Sequence, residues 1–317
     1  MGEHSKKIGE IGENIAENFF RLLGWTPISQ QSLACQKSGK HAIQNSKTGE
    51  RKTHGIDFLF SYLSPLESST VEHVIISVKH TEKAYASSPK SKFKEYIYEL
   101  AKTLECYKYS EMKNEQQQSF DRATKSRDTG VLFWLSSNDS TYKDVVSRVS
   151  NIQLDDEFEF NTIQLIDNER ISFLYDVLMY LRGKFNPENI YYYYPETALN
   201  YGDINISRSG KIFPVEFLTS PLIPFIIKAK TDEEQDIFCF AYNDKFNKDT
   251  LKKLISAARE YTGDISSKYL FLFDNNPSIN ELSEINKIKS QLNNETISRK
   301  IFVESYRPNV RSLTNEQ

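Results

Sequence analysis

Apolar residues at Ile8, Ile11, Ile15, Phe19, Leu22 and Leu23 recur at three- and four-residue spacing, which predicts an amphipathic helix over residues 5–23. Gly24 closes that helix, and Trp25-Thr26-Pro27 leads into an extended segment. Residues 36–53 are polar, basic and glycine-containing and read as a long loop. Residues 55–63 and 72–80 are apolar enough for inner strands, joined by the turn-rich stretch Ser64-Pro65-Leu66-Glu67-Ser68-Ser69. Phe93, Ile97, Leu100, Leu104 and Tyr107 mark a second helix. After a polar stretch holding Gln116-Gln117-Gln118, residues 130–136 read as a buried strand. The order is αβββαβ, a sheet with helices on its faces.

A second α/β region follows, and the expected domains are residues 1–165 and 166–317. Ile171, Leu174, Val177, Leu178 and Leu181 predict a helix ending near Gly183. Then come Tyr191-Tyr192-Tyr193-Tyr194, a strand pair around 211–230, a strand at Ile237–Tyr242, a helix over 248–261 and a strand at Tyr269–Phe273. That order echoes the first half and suggests a diverged copy of the same unit. In that copy, Ala241-Tyr242-Asn243 offers no lysine. The tyrosine run has two readings, strand-forming propensity or a platform for stacked bases, and the structural one is favoured.

Composition narrows the function only a little. The 317 residues carry 40 Lys and Arg against 43 Asp and Glu, so no uniformly basic coat exists. Residues 1–130 hold about 19 basic against about 16 acidic side chains, which leaves the remainder acidic. Basic residues gather at Lys37, Lys40, His41, Lys47, Arg51 and Lys52, and again at Lys90, Lys92 and Lys94, where they can neutralise phosphates or simply face solvent. Neither a signal peptide nor a bilayer-spanning stretch is evident, so the expected location is the cytoplasm, with no membrane partner. Cys35, Cys106 and Cys239 lie far apart without metal-ligand spacing and read as reduced, buried thiols. His4, His41 and His73 form no visible constellation, and no zinc pattern, Walker loop or serine elbow is present.

The chemistry concentrates in His54-Gly55-Ile56-Asp57-Phe58-Leu59-Phe60 and Val74-Ile75-Ile76-Ser77-Val78-Lys79-His80. A hard divalent cation takes oxygen ligands, lowers the pKa of an attacking water and neutralises charge at phosphorus. Asp57 and Lys79, at the ends of two inner strands, supply an acid and a lysine; the simpler alternative is a structural ion pair between them. On the first helix, Glu13 and Glu17 lie one turn apart, and the small Gly12 and Ala16 allow close approach to the sheet.

Three stretches together, GEIGENIAENFF, HGIDFLF and IISVKH, resemble the PD-(D/E)XK (restriction-endonuclease-like) nuclease superfamily over roughly residues 5–140. The resemblance implies a restriction-endonuclease-like αβββαβ core with a second α/β domain, a degenerate copy of the same fold. It further implies a phosphodiester hydrolase using Mg²⁺, with Mn²⁺ as substitute and DNA favoured over RNA. The expected setting is restriction or phage defence, with a protein partner or homodimer formed through residues 166–317. By the same resemblance Glu13, Asp57 and the Val78 carbonyl hold the metal, and Lys79 is the catalytic lysine. Lys40, Lys52, His80 and Lys83 are expected on the nucleic acid.

Ser77 departs from the pattern, because a carboxylate is usual there and a neutral hydroxyl attracts a cation less. Three explanations stay open. The ion is held by Asp57, Glu13 and Val78, with Ser77 bonding a water; or the missing acid has moved to the second helix as Glu95 or Glu99; or the site is inactive and the fold is a nucleic-acid-binding scaffold.

Overall fold

The structure is a computed structural model that describes residues 2–42, 49–138, 144–154, 158–231, 235–292 and 294–308. The chain divides into two compact units, residues 1–171 and 172–317. The first contains α1 (Gly2–Leu22), β1 (Ile28–Ala34), β2 (Thr53–Leu63), β3 (Thr70–Thr81), α2 (Lys90–Tyr107), α3 (Glu111–Gln118), β4 (Lys125–Ser136), α4 (Val146–Val149) and β5 (Thr162–Ile166). Its sheet runs β1-β2-β3-β4-β5, antiparallel across the first three strands and parallel from β3 to β5. The parallel β3–β4 pair requires a crossover, and α2 supplies it.

Helix α1 turns a different stripe to the sheet from the one its isoleucines suggest. Ala16, Phe19, Phe20 and Leu23 are buried, whereas Ile11 and Ile15 are exposed. The small residues decide the face: a Cβ added to Gly12 would stand 2.4 Å from His80 Cβ, so only glycine lets the backbone come this close. Phe20 then stacks on Trp25 and meets Phe58 and Phe133 edge-on or tilted. On the opposite face Ile97, Leu100 and Leu104 of α2 pack over Ile75 and Leu132. Strand β4 begins five residues before the apolar run, because its polar start is matched by polar partners. Buried Glu72 accepts from Arg127 at 2.6 Å and from the Thr129 hydroxyl, and Asp128 accepts from Lys113 at 2.7 Å.

The second unit holds most of α5 (Asn168–Lys184), whose first turn belongs to the first, then β6 (Ile190–Tyr193), β7 (Ser209–Gly210), β8 (Leu222–Ile227), β9 (Ile237–Tyr242), α6 (Lys248–Thr262), β10 (Lys268–Phe273), α7 (Ile279–Gln291), α8 (Glu295–Lys300) and β11 (Ile301–Ser305). The expected strand pair at 211–230 is a single strand, β8. The residues before it form a 3-10 turn at Val215–Leu218, anchored by buried Phe213, Phe217 and Leu218. The sheet runs β7-β6-β8-β9-β10-β11, antiparallel from β6 to β9 and parallel from β9 to β11. Leaving out the two-residue β7, this is the strand order and direction of the first sheet, with α6 as the crossover where the first unit has α2. The tyrosine run is packed. Tyr192 lies against Phe213 and Phe225, Tyr193 stacks on Tyr261, and Tyr194 donates to the Ile212 carbonyl at 2.6 Å. Among the described residues no helix is long and apolar enough to cross a membrane.

Candidate active site

The ladder between β2 and β3 runs from Leu63↔Val71 to Phe58↔Ile76 and stops there. Beyond that point the Val78 N–H donates to Asp57 Oδ2 at 2.6 Å, so a side chain takes over where backbone pairing ends. Alternation along β3 puts Ile75, Ser77 and Lys79 on the α2 side and Ile76, Val78 and His80 on the α1 side. A cavity of about 290 Å³ opens on the α2 side, lined by Arg51, Asp57, Ser77, Lys79, Glu99 and Thr103 among others. Lys79 lies 5.6 Å from the centre of the Tyr96 ring. Among the described residues no ion pair joins it to Asp57 or to any other acid, so the purely structural pairing is not what the fold builds. Glu99 reaches in from α2 and accepts from Arg51 at 2.6 Å and Lys102 at 3.3 Å. Burial alone would raise its carboxyl, but those two cations outweigh burial and hold it below its ordinary value.

A splayed strand end carrying an acid, beside a strand carrying a lysine, is the arrangement that the three sequence stretches pointed to. A family model described as the GAPS4 protein PD-(D/E)XK nuclease domain matches residues 1–170. The chain belongs to this family. No curated protein matches the chain. The first unit is thus a PD-(D/E)XK nuclease domain, of a kind that generally uses divalent metals. The cavity's donors suit such an ion: the carboxylates of Asp57 and Glu99 and the hydroxyl of Ser77 are all hard oxygen ligands.

The nuclease domain brings together only part of the expected set. Asp57, Ser77, Lys79 and Glu99 share the cavity; Glu95 does not line it and pairs with Lys92 at 2.8 Å. Glu13 is outside it too. Its carboxylate accepts from Gln30 Nε2 at 3.2 Å, on the β1 residue flanked by the Ser29↔Phe58 and Gln31↔Ile56 pairs and therefore across from Asp57. Val78 engages Asp57 through its N–H. His80 points to the α1 side, where Nδ1 donates to the Ile8 carbonyl at 2.7 Å and Nε2 accepts from Ser137 Oγ at 2.6 Å, so it ties the helix to the sheet. Lys40 is bound to Glu105 at 2.8 Å. Lys52 and Lys83 are exposed, and Lys47 lies outside the described residues. Arg51, read from sequence only as one of a basic cluster, is a wall of the cavity.

One expectation is overturned. Cys35, Cys106, His41 and His54 do form a constellation: one ligand atom from each lies within 4.8 Å of all the others. Sequence spacing concealed it, because the four residues come from the end of β1, the following connection, β2 and the last turn of α2. A cavity of about 620 Å³ in the second unit is lined by Asp176, Tyr180, Lys184, Glu304 and Arg307. Its charges satisfy one another: Glu304 accepts from Lys184 and Tyr180, and Asp176 from Arg307. It carries no comparable set of free acid and lysine.

Proposed function

We propose that the first unit hydrolyses phosphodiester bonds with Mg²⁺, or Mn²⁺ in its place, on DNA in preference to RNA. The observation that supports this most is the meeting of Asp57, Ser77, Lys79 and Glu99 in one cavity of a PD-(D/E)XK nuclease domain. Of the three explanations for Ser77, the geometry favours the acid supplied by α2: Glu99 faces Asp57's cavity, whereas Glu13 and Glu95 do not. Asp57 and Glu99 would hold the ion, with the Ser77 hydroxyl bonding a water. A bound divalent cation supplies charge neutralisation at the phosphate and a lower pKa for the attacking water. Asp57 is fixed for this work by the Val78 N–H, which leaves its second oxygen free of that bond. Lys79 donates to phosphate oxygens as charge builds on them. With Glu99 holding the ion, Arg51 would be freed of that carboxylate, and its guanidinium suits a backbone phosphate.

The second unit has the same sheet order, but the end of β9, the counterpart of β3, reads Ala241-Tyr242-Asn243 without a lysine, which supports a role in binding a protein partner or a second copy of the chain. Restriction or phage defence is the setting we propose for such a pair. A second reading, an inactive nuclease fold serving as scaffold, draws on Ser77 and on the ion pairs that Glu99 already makes.

Incubation with plasmid, linear duplex, single strands and tRNA separates these readings, run with Mg²⁺ or EDTA and with or without co-purified partners. Cleavage of DNA that EDTA stops, and that both Asp57→Ala and Lys79→Ala abolish, is the expected result. Full cleavage by either variant overturns the assignment. A wild-type protein that binds DNA and cuts nothing under any of these conditions establishes the scaffold instead.

A further inference from the structure

The buried cluster beside the cavity has the dimensions of a metal site. Cys35 Sγ and Cys106 Sγ are 4.0 Å apart, and His41 Nδ1 lies 3.5 Å from the first and 3.4 Å from the second. His54 Nε2 is 3.2 Å from His41 Nδ1. A tetrahedral zinc with bonds of about 2.3 Å to sulfur and about 2.05 Å to nitrogen requires edges of about 3.8 Å, 3.6 Å and 3.3 Å for the S–S, S–N and N–N pairs. Four of the six edges fall within about 0.2 Å of those values, and the two from His54 Nε2 to the sulfurs are within 4.8 Å. The sulfur separation is also about twice a disulfide bond length, so the two thiols are neighbours without being bonded.

The surroundings are those of a ligated metal. His41 Nε2 donates to Glu105 Oε2 at 2.7 Å, the carboxylate–histidine contact that fixes a ligating imidazole with its other nitrogen free. Glu105 is wholly buried, and Lys37 and Lys40 each approach its other oxygen at 2.8 Å. The Gln36 N–H donates to Cys106 Sγ at 3.4 Å. His41, His54 and Cys106 are at most 1 % exposed, and Cys35 is half-buried at the edge of the cluster.

We propose that Cys35 Sγ, His41 Nδ1, His54 Nε2 and Cys106 Sγ bind one structural Zn²⁺. Four protein ligands leave no open position, and a mixed sulfur–nitrogen tetrahedron suits zinc rather than the oxygen-seeking ion of the neighbouring cavity. Binding releases two thiol protons to solvent and changes no oxidation state. The ion joins the end of β1, the connection after it, β2 and α2, three residues before Asp57 and seven after Glu99. One contact has to change. Arg51 donates to His54 Nδ1 at 3.1 Å, whereas ligation through Nε2 makes Nδ1 the donor. Arg51 then leaves the ring.

The test is metal analysis of the full-length protein, purified without metal-affinity resin or chelator, and it does not depend on nuclease activity. One zinc per chain is expected in the wild type, in Asp57→Ala and in Cys239→Ser, whose thiol lies in the second unit. Cys35→Ser and Cys106→Ser should drop to less than a tenth of that. Should those variants not fold, cobalt exchange into the wild type answers the same question. Tetrahedral, thiolate-bound Co²⁺ gives strong visible absorption, which an oxygen-ligated ion at Asp57 does not. Folded wild type without zinc that takes up no coloured cobalt overturns the proposal, as does stoichiometric iron or copper, or a Cys35–Cys106 disulfide on thiol titration.

Discussion

Gly12→Ala is the sharpest test of how α1 meets the sheet. The new methyl would stand 2.4 Å from His80 Cβ and 2.9 Å from Cγ, against about 3.5–4.0 Å for relaxed carbon contacts. His80 cannot turn aside cheaply, since its ring is held at both nitrogens by the Ile8 carbonyl and Ser137 Oγ, bonds that contribute about 1 kcal/mol each. Overpacking of this kind costs about 1–3 kcal/mol. Alanine's better helix propensity returns about 1 kcal/mol. Gly9→Ala is the control: it lies in the same helix, gains the same propensity, and its methyl meets nothing within 4 Å. The difference between the variants therefore isolates the packing cost, and at about 2 kcal/mol it separates their urea midpoints by roughly 1 M. Trp25 and Trp134 are the protein's two tryptophans and both belong to the first unit, so intrinsic tryptophan fluorescence follows that unit alone. Gly9→Ala should be slightly more stable than wild type and Gly12→Ala clearly less. Equal midpoints for the two variants refute the close helix–sheet contact.

Two further outcomes follow from the same geometry. Glu99→Gln should reduce metal-dependent cleavage by at least tenfold while Glu95→Gln leaves it unchanged in a plasmid assay; the reverse order would return the acid to the exposed turn of α2. His73 is buried, and burial, helped by Lys113, lowers its pKa to about 4 from an ordinary 6.5. Folding thus favours neutral His73: its contribution is complete above pH 6.5 and is lost as pH falls towards 4, about 2 kcal/mol of it by pH 5. Urea titrations at pH 7 and pH 5 should show a smaller pH loss in His73→Gln than in wild type, and identical losses would assign the sensitivity elsewhere.

How much of this was legible in the sequence depended on whether the signal was local. The αβββαβ order was readable, because each strand and helix announces itself by its own periodicity, and so was the repeated order of the second half. Asp57, Ser77 and Lys79 were readable because they sit at recognisable strand ends. Ile11 and Ile15 misled, since their spacing is helical but Gly12 and Ala16 decide which face can approach the sheet. Lys40 looked like a phosphate ligand until the fold set it beside Glu105. The Cys35–His41–His54–Cys106 cluster was invisible, because its members lie up to 71 positions apart and meet only after α2 has crossed the sheet. Glu99 was named as one of two candidates on the same helix, and only the direction of its side chain distinguished it from Glu95.

The alternation along β3 has a consequence for how this gene can change. Ser77 and Lys79 face the cavity while Ile76, Val78 and His80 face α1, so reactive and packing positions are interleaved within five consecutive residues of one strand. Deleting or inserting one residue there would exchange the two sets at once, sending the lysine among the phenylalanines and the histidine strap into the cavity. Point substitutions can drift along this strand, but changes of length are barred unless they come in twos.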